Sequence, residues 1–240
     1  MSEEMRPQLV RAFKDLRLGS LLALLSDILV IASFLPLLMS MPTIFWRIPR
    51  QEAPKSLREL LSPMMPMAVS ALTLALAALV LGLVGLYLWY RASSSFKLYD
   101  EAKFSLGRIG AVMSIAGSLV LAISLAAIFY FLLSLPPRYE RPPEWGIGAL
   151  AALLPGIAGL LLGVSVYVIG WILYGIMVMR LSEIPGLSQD FRYAGILMIA
   201  GTVLSMLGSL GVIGVLVEMA SLIMIFVYSD TAIKGLSPSQ

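Results

Sequence analysis

Cysteine, histidine and asparagine are all missing from these 240 residues. Without cysteine there is no disulfide, no thiolate nucleophile and no cysteine-ligated zinc. Without histidine there is no imidazole acid–base catalyst, no histidine proton relay and no imidazole ligand for haem. Without asparagine there is no N-glycosylation acceptor. With only four glutamines as well, the chain is poor in heat-labile amides, a bias of hyperthermophile proteins that its fourteen methionines oppose. Charge is scarce too. Asp, Glu, Lys and Arg together make up 13% of the chain, against about a quarter in soluble globular domains.

What remains is apolar: 59% of residues are hydrophobic and the mean hydropathy is +0.93. Apolar runs recur along the whole length, so no stretch is left to build a separate soluble core. The expected fold is therefore all-α, a polytopic transmembrane bundle of about six spans. The N-terminal residues 1–17 read as a cytoplasmic amphipathic segment, 18–229 as the transmembrane domain and 230–240 as a C-terminal tail. Three acidic residues and a late apolar start are unlike a signal peptide, so the N-terminal segment is expected to be retained.

A hydrocarbon core of about 30 Å needs about 20 helical residues. That ruler places spans near 18–42, 65–90, 109–135 and 147–179, the fourth interrupted by Pro155-Gly156, where a bend is expected. The last apolar stretch, 193–228, would be about 54 Å long as one helix. It is better divided into a short hairpin turning at Gly208-Ser-Leu-Gly211, with glycine supplying the backbone freedom of the turn. Counting Lys and Arg in alternate flanking segments gives eleven on the side of both termini and six on the other, which predicts cytoplasmic termini.

The outer connections carry their own signals. Ser56 and Glu59 stand in capping-box spacing ahead of a short surface helix, and LPPRYERPPEWG is stiffened by two proline pairs. Phe45, Trp46, Tyr130 and Trp145 fit an outer aromatic belt, and Tyr87, Trp89 and Tyr90 an inner one. The inner connection at 91–108 mixes four basic and two acidic residues with aromatics, a composition suited to anionic lipid head groups or to a plain amphipathic surface.

Small residues at helical spacing mark where helices can approach closely in lipid. Ala71, Ala75, Ala78, Gly82 and Gly85 form one such stripe, and Gly156, Gly159, Gly163 and Gly170 another. They serve either packing within the bundle or a face for a second copy.

Two acids lie deep in these spans. Asp27 falls about 13 Å inside the first span and Glu218 about 10 Å inside the last. Glu218 shares a helix face with Gly214, Ser221 and Tyr228, and Asp27 with Ser20. No Lys, Arg or His stands at that depth to neutralise either carboxylate. Each is therefore either a protonated group bonded to a neighbouring helix, or part of an ion or proton site formed by Asp27, Glu218 and Ser221. Two adjacent carboxyls would share a proton. Whether the first and last spans are neighbours is left open by the sequence.

No phosphate-binding loop, zinc-protease signature, nucleophile elbow or acidic metal cluster is present; the glycines at 107–110 and 146–151 belong to membrane helices. No enzymatic activity, no metal and no cofactor is expected, and nucleic acid is not an expected partner. The reading that leads is a non-enzymatic structural or accessory subunit, whose partners are the bilayer and other membrane subunits or a second copy. The alternative is a small ion- or proton-coupled transporter or channel using the midplane carboxylates.

The passage GLYLWYRASSSFKLYDEAKFSLGRIGAV and the later FRYAGILMIAGTVLSMLGSLGVIGVL resemble a family of archaeal multi-span membrane proteins of unknown function, over about residues 8 to 235. The resemblance implies an archaeal plasma-membrane setting. It brings no activity, cofactor or site residue.

Overall fold

A computed structural model describes residues 5–47, 65–134, 144–207 and 210–236. Six helices account for nearly all of them: α1 (Met5–Arg47), α2 (Met65–Tyr99), α3 (Glu101–Ser134), α4 (Glu144–Leu181), α5 (Asp190–Ser205) and α6 (Gly211–Leu236). There is no strand among the described residues. An apolar solvent leaves the backbone no partner but itself, and helices satisfy every N–H and C=O internally. Five of the six are long and apolar enough to cross a membrane. The protein is a membrane-embedded helical bundle.

The helices pack in chain order, each against the next, and α6 returns to α1 to close a ring. Both chain ends lie at one end of that ring. Arg17 of α1 donates to Asp230 of α6 at 2.6 Å, and Lys234 joins the same carboxylate at 2.7 Å. Arg91–Asp15 and Lys103–Glu183 extend the belt, and Arg180 donates to the backbone carbonyl of Lys103. This polar end also holds the tightest core. Phe13, Phe96, Phe104 and Phe191, each fully buried, interlock edge to face or tilted, with Leu9, Leu16, Met177 and Leu181 around them.

Two expected boundaries move. The connection at 91–108 is helical on both sides of Asp100, because α2 and α3 run past their apolar stretches and pack Phe96 and Phe104 inward. Asp100 makes the turn, its Oδ1 accepting the Lys103 N–H at the start of α3. Residues 5–17 are the first turns of α1, with Leu9, Ala12, Phe13 and Leu16 on the buried face. Helix α4 is continuous through Pro155. The expected hairpin is present, turning between Ser205 and Gly211, but its second arm α6 has 26 residues while α5 has only 16. The capping-box segment at 56–59 and the proline-rich connection at 135–143 lie outside the described residues, as do the side chains of Phe45, Trp46 and Trp145.

The small-residue stripes are spent between neighbours in the ring. A side chain at Gly170 would lie 2.6 Å from the Ser114 backbone nitrogen and 2.7 Å from the Gly110 carbonyl oxygen. Gly163 meets Leu121, Gly159 meets Ser124 and Gly156 meets Ile128, so the whole α4 stripe faces α3. On α2, Gly82 and Gly85 face α1, with Ser26 of α1 donating to the Ala78 carbonyl at 2.8 Å. Ala71 is buried with them, whereas Ala75, at the edge of the stripe, is exposed.

Candidate functional site

Asp27 comes from α1 and Glu218 from α6, and ring closure makes those two helices neighbours. The carboxyls lie within electrostatic range of each other, and both are within range of the Tyr167 hydroxyl on α4. Three helices distant in sequence thus bring these polar groups within electrostatic range of one another inside an apolar bundle.

The surroundings fix this arrangement. Glu218 is positioned by a close crossing of α5 and α6. A side chain at Gly201 would lie 2.7 Å from the Glu218 backbone nitrogen and 2.9 Å from the Gly214 carbonyl oxygen, and one at Gly214 would lie 2.7 Å from the Gly201 oxygen. One turn further, the buried Ser221 hydroxyl donates to the Ala194 carbonyl at 2.7 Å. Ser221 is thereby committed to joining α5 and α6, though its oxygen keeps acceptor capacity. Asp27 stands one residue beyond Ser26, whose hydroxyl ties α1 to α2. Ser20, on the same face of α1, is buried and bonded back to the Leu16 carbonyl.

Neither carboxyl has a hydrogen-bond or ion-pair partner among the described residues, and Asp27 Oδ2 is enclosed with none. Both residues retain partial exposure in the isolated chain. Toward the polar end, an aromatic stack fills the ring. Tyr167 lies 5.7 Å from Trp171, Trp171 sits edge-on to Trp89 at 5.2 Å, and Trp89 stacks on Tyr174 at 4.3 Å. The Trp89 and Trp171 ring nitrogens and the Tyr174 hydroxyl are buried without partners; Tyr174 approaches Ser93, and Tyr167 approaches Trp171, short of hydrogen-bond geometry. Trp89, expected in an inner interfacial belt, is 1% exposed and belongs to this stack.

In the other direction the ring thins. Helix α6 begins seven residues beyond Glu218, about 10 Å away, and α5 ends beside it. Helix α1 continues about 30 Å past Asp27, and α4 about 35 Å past Tyr167. The carboxyls therefore sit near the level at which six helices become four.

Such a site can bind a proton or a small cation: two anionic oxygen donors with a phenol alongside, in a medium where an unpaired charge is costly. No group of three or more Asp, Glu, His or Cys side chains that could hold a metal ion occurs among the described residues. Sequence reading identified both acids and missed Tyr167, Trp171 and Tyr174. A tyrosine in mid-span was the available signal for Tyr167; its partners depend on ring closure.

A family model described as a protein of unknown function, DUF973, matches residues 10–238. The chain belongs to the DUF973 family. No curated protein and no solved structure matches it. The family match covers α1 from residue 10 onward and all of α2 to α6, so both carboxyls and the aromatic stack lie within the DUF973 domain.

Proposed function

We propose that this DUF973 protein binds a proton or a monovalent cation at Asp27 and Glu218 and moves it across the bilayer, a non-enzymatic role of the transporter or channel class. One observation supports the reading: two carboxyls from opposite ends of the chain lie within electrostatic range of each other inside the bundle, with no hydrogen-bond or ion-pair partner among the described residues. A purely structural acid would be hydrogen-bonded to a hydroxyl or a carbonyl, as Ser26 and Ser221 are. The accessory-subunit reading rested on the lack of catalytic side chains and the abundance of packing residues. Those of α4, Gly82 and Gly85 are used within the chain. The basic residues concentrated at the end holding both termini support a cytoplasmic location for that end. The missing Asn, Cys and His support an archaeal, thermophilic plasma-membrane setting.

The test is ion flux in sealed proteoliposomes carrying an internal pH dye, driven by a pH or cation gradient. The wild-type protein should give flux above empty vesicles. Glu218→Gln and Asp27→Asn should each abolish it while leaving the elution profile and helicity intact. Wild-type flux in Glu218→Gln would sink the proposal.

A further inference from the structure

Outside the carboxyl site, the polar end of the bundle carries a groove of about 340 Å³ between α2 and α3, lined by Lys97, Ser105, Arg108, Ile109, Val112 and Met113. Its residues are graded by depth. Ser105, Arg108, Ile109 and Val112 recur at intervals of three, one and three, so they share one face of α3, and Lys97 faces them from α2. The apolar run of α3 begins at Ile109. Two cations and a hydroxyl thus stand at the membrane edge, directly above an apolar furrow that descends into the lipid.

The cations are set for an anion. The Arg108 guanidinium lies 5.3 Å from the Tyr90 ring centroid and donates to the Tyr90 hydroxyl at 2.9 Å, which fixes its plane and occupies one of its five donors. Lys97 is held at 2.7 Å from Glu101, whose side chain is 73% exposed, so that pairing is screened by water and exchangeable. Ser105 is half-buried and makes no hydrogen bond among the described residues. Arg, Lys and a free hydroxyl are the donors a phosphate takes. The exposed apolar side chains of Ile109 and Val112 below them suit an acyl or isoprenoid chain, not water.

We propose that this groove binds an anionic phospholipid, with Lys97, Ser105 and Arg108 on the headgroup phosphate and Ile109, Val112 and Met113 along one chain. A soluble phosphate would use only the upper half. A zwitterionic lipid would bring a cation toward two cations, so charge selects the anionic headgroup.

The probe is phosphatidylglycerol against phosphatidylcholine, titrated onto the detergent-purified full chain and read by native mass spectrometry as lipid retained per protein. Phosphatidylglycerol should be retained preferentially. Lys97→Gln should weaken its retention about fivefold, and Lys97→Gln with Arg108→Gln should abolish the preference. The double variant Arg6→Gln, Lys14→Gln, at exposed positions of the same end, should leave the preference unchanged. Since Arg108 also braces Tyr90, Val112→Trp provides a second approach. It fills the furrow without touching a charge and should lower retention of phosphatidylglycerol. Equal retention of the two lipids by the wild type, unchanged preference in the Lys97/Arg108 variant, normal retention in Val112→Trp, or displacement of the lipid by millimolar inorganic phosphate would each overturn the assignment.

Discussion

At the scale of single residues, the bundle separates two kinds of polar group. Most described serines and threonines settle their hydroxyls on carbonyls, usually within their own helix and in a few cases across to a neighbour, as Ser221 does to Ala194. The carboxyls of Asp27 and Glu218 do not. Interhelical hydrogen bonds in membranes average about 0.6 kcal/mol, so Ser221→Ala should lower stability only slightly. Gly170→Leu differs in kind: its side chain would meet the Ser114 and Gly110 backbone, and overpacking of that sort costs about 1–3 kcal/mol or more. Thermal unfolding in detergent should show a large drop in midpoint for Gly170→Leu and a small one for Ser221→Ala; equal midpoints would refute this ranking. Asp27 and Glu218 were legible in the sequence because any acid at that depth stands out against apolar neighbours. Their proximity was not legible, since it depends on α6 packing against α1, and periodicity within a helix carries no information about which helix it faces. Trp89 was misplaced for a related reason. A tryptophan near a span end suits the interface, but here the helix continues ten residues further and the ring closes over it.

At the scale of the helix, apolar length located the spans well and their ends poorly. Hydropathy marks where lipid stops, whereas helices α1, α2 and α3 continue beyond it on amphipathic faces that bury Phe13, Phe96 and Phe104. Glycine at 208–211 announced the last turn correctly. The lengths of its arms were not announced. Helix α5 covers about 24 Å, less than the roughly 30 Å hydrocarbon core, and its first residues lie at the polar end. The tip beyond it is apolar: Met206, Leu207, Leu210 and Val212 are all exposed. Short reach and an apolar tip together predict that the α5–α6 turn stays inside the bilayer. The cysteine-free chain makes the test direct. A single cysteine at Leu207 should resist a membrane-impermeant maleimide from either face, while one at Leu98, exposed beside the α2–α3 turn at the polar end, should react. Equal labelling of the two would show that the turn reaches water.

At the scale of the whole molecule, the polar end is the fixed part. Aromatic interlocking, the five ion pairs of the described residues and the large buried aromatics all gather there, and toward the opposite end α5 and α6 stop short of the other helices. The ring that results is continuous, with the α1–α6 contact made as any other neighbour contact is made. Its closure carries a consequence for chain order. Arg17 and Asp230 hold the first and last helices together, so the contact between them is one the chain could make covalently without moving a helix. A circular permutant that joins Leu236 to Met5 through about ten Gly/Ser residues, reaching roughly 17 Å, and opens the chain between Arg47 and Met65 should keep the native thermal midpoint within a few degrees once folded in detergent. Which helix is first would then be a matter of synthesis and not of structure; a permutant that fails to form the bundle would show that the order of insertion is itself part of what builds the ring.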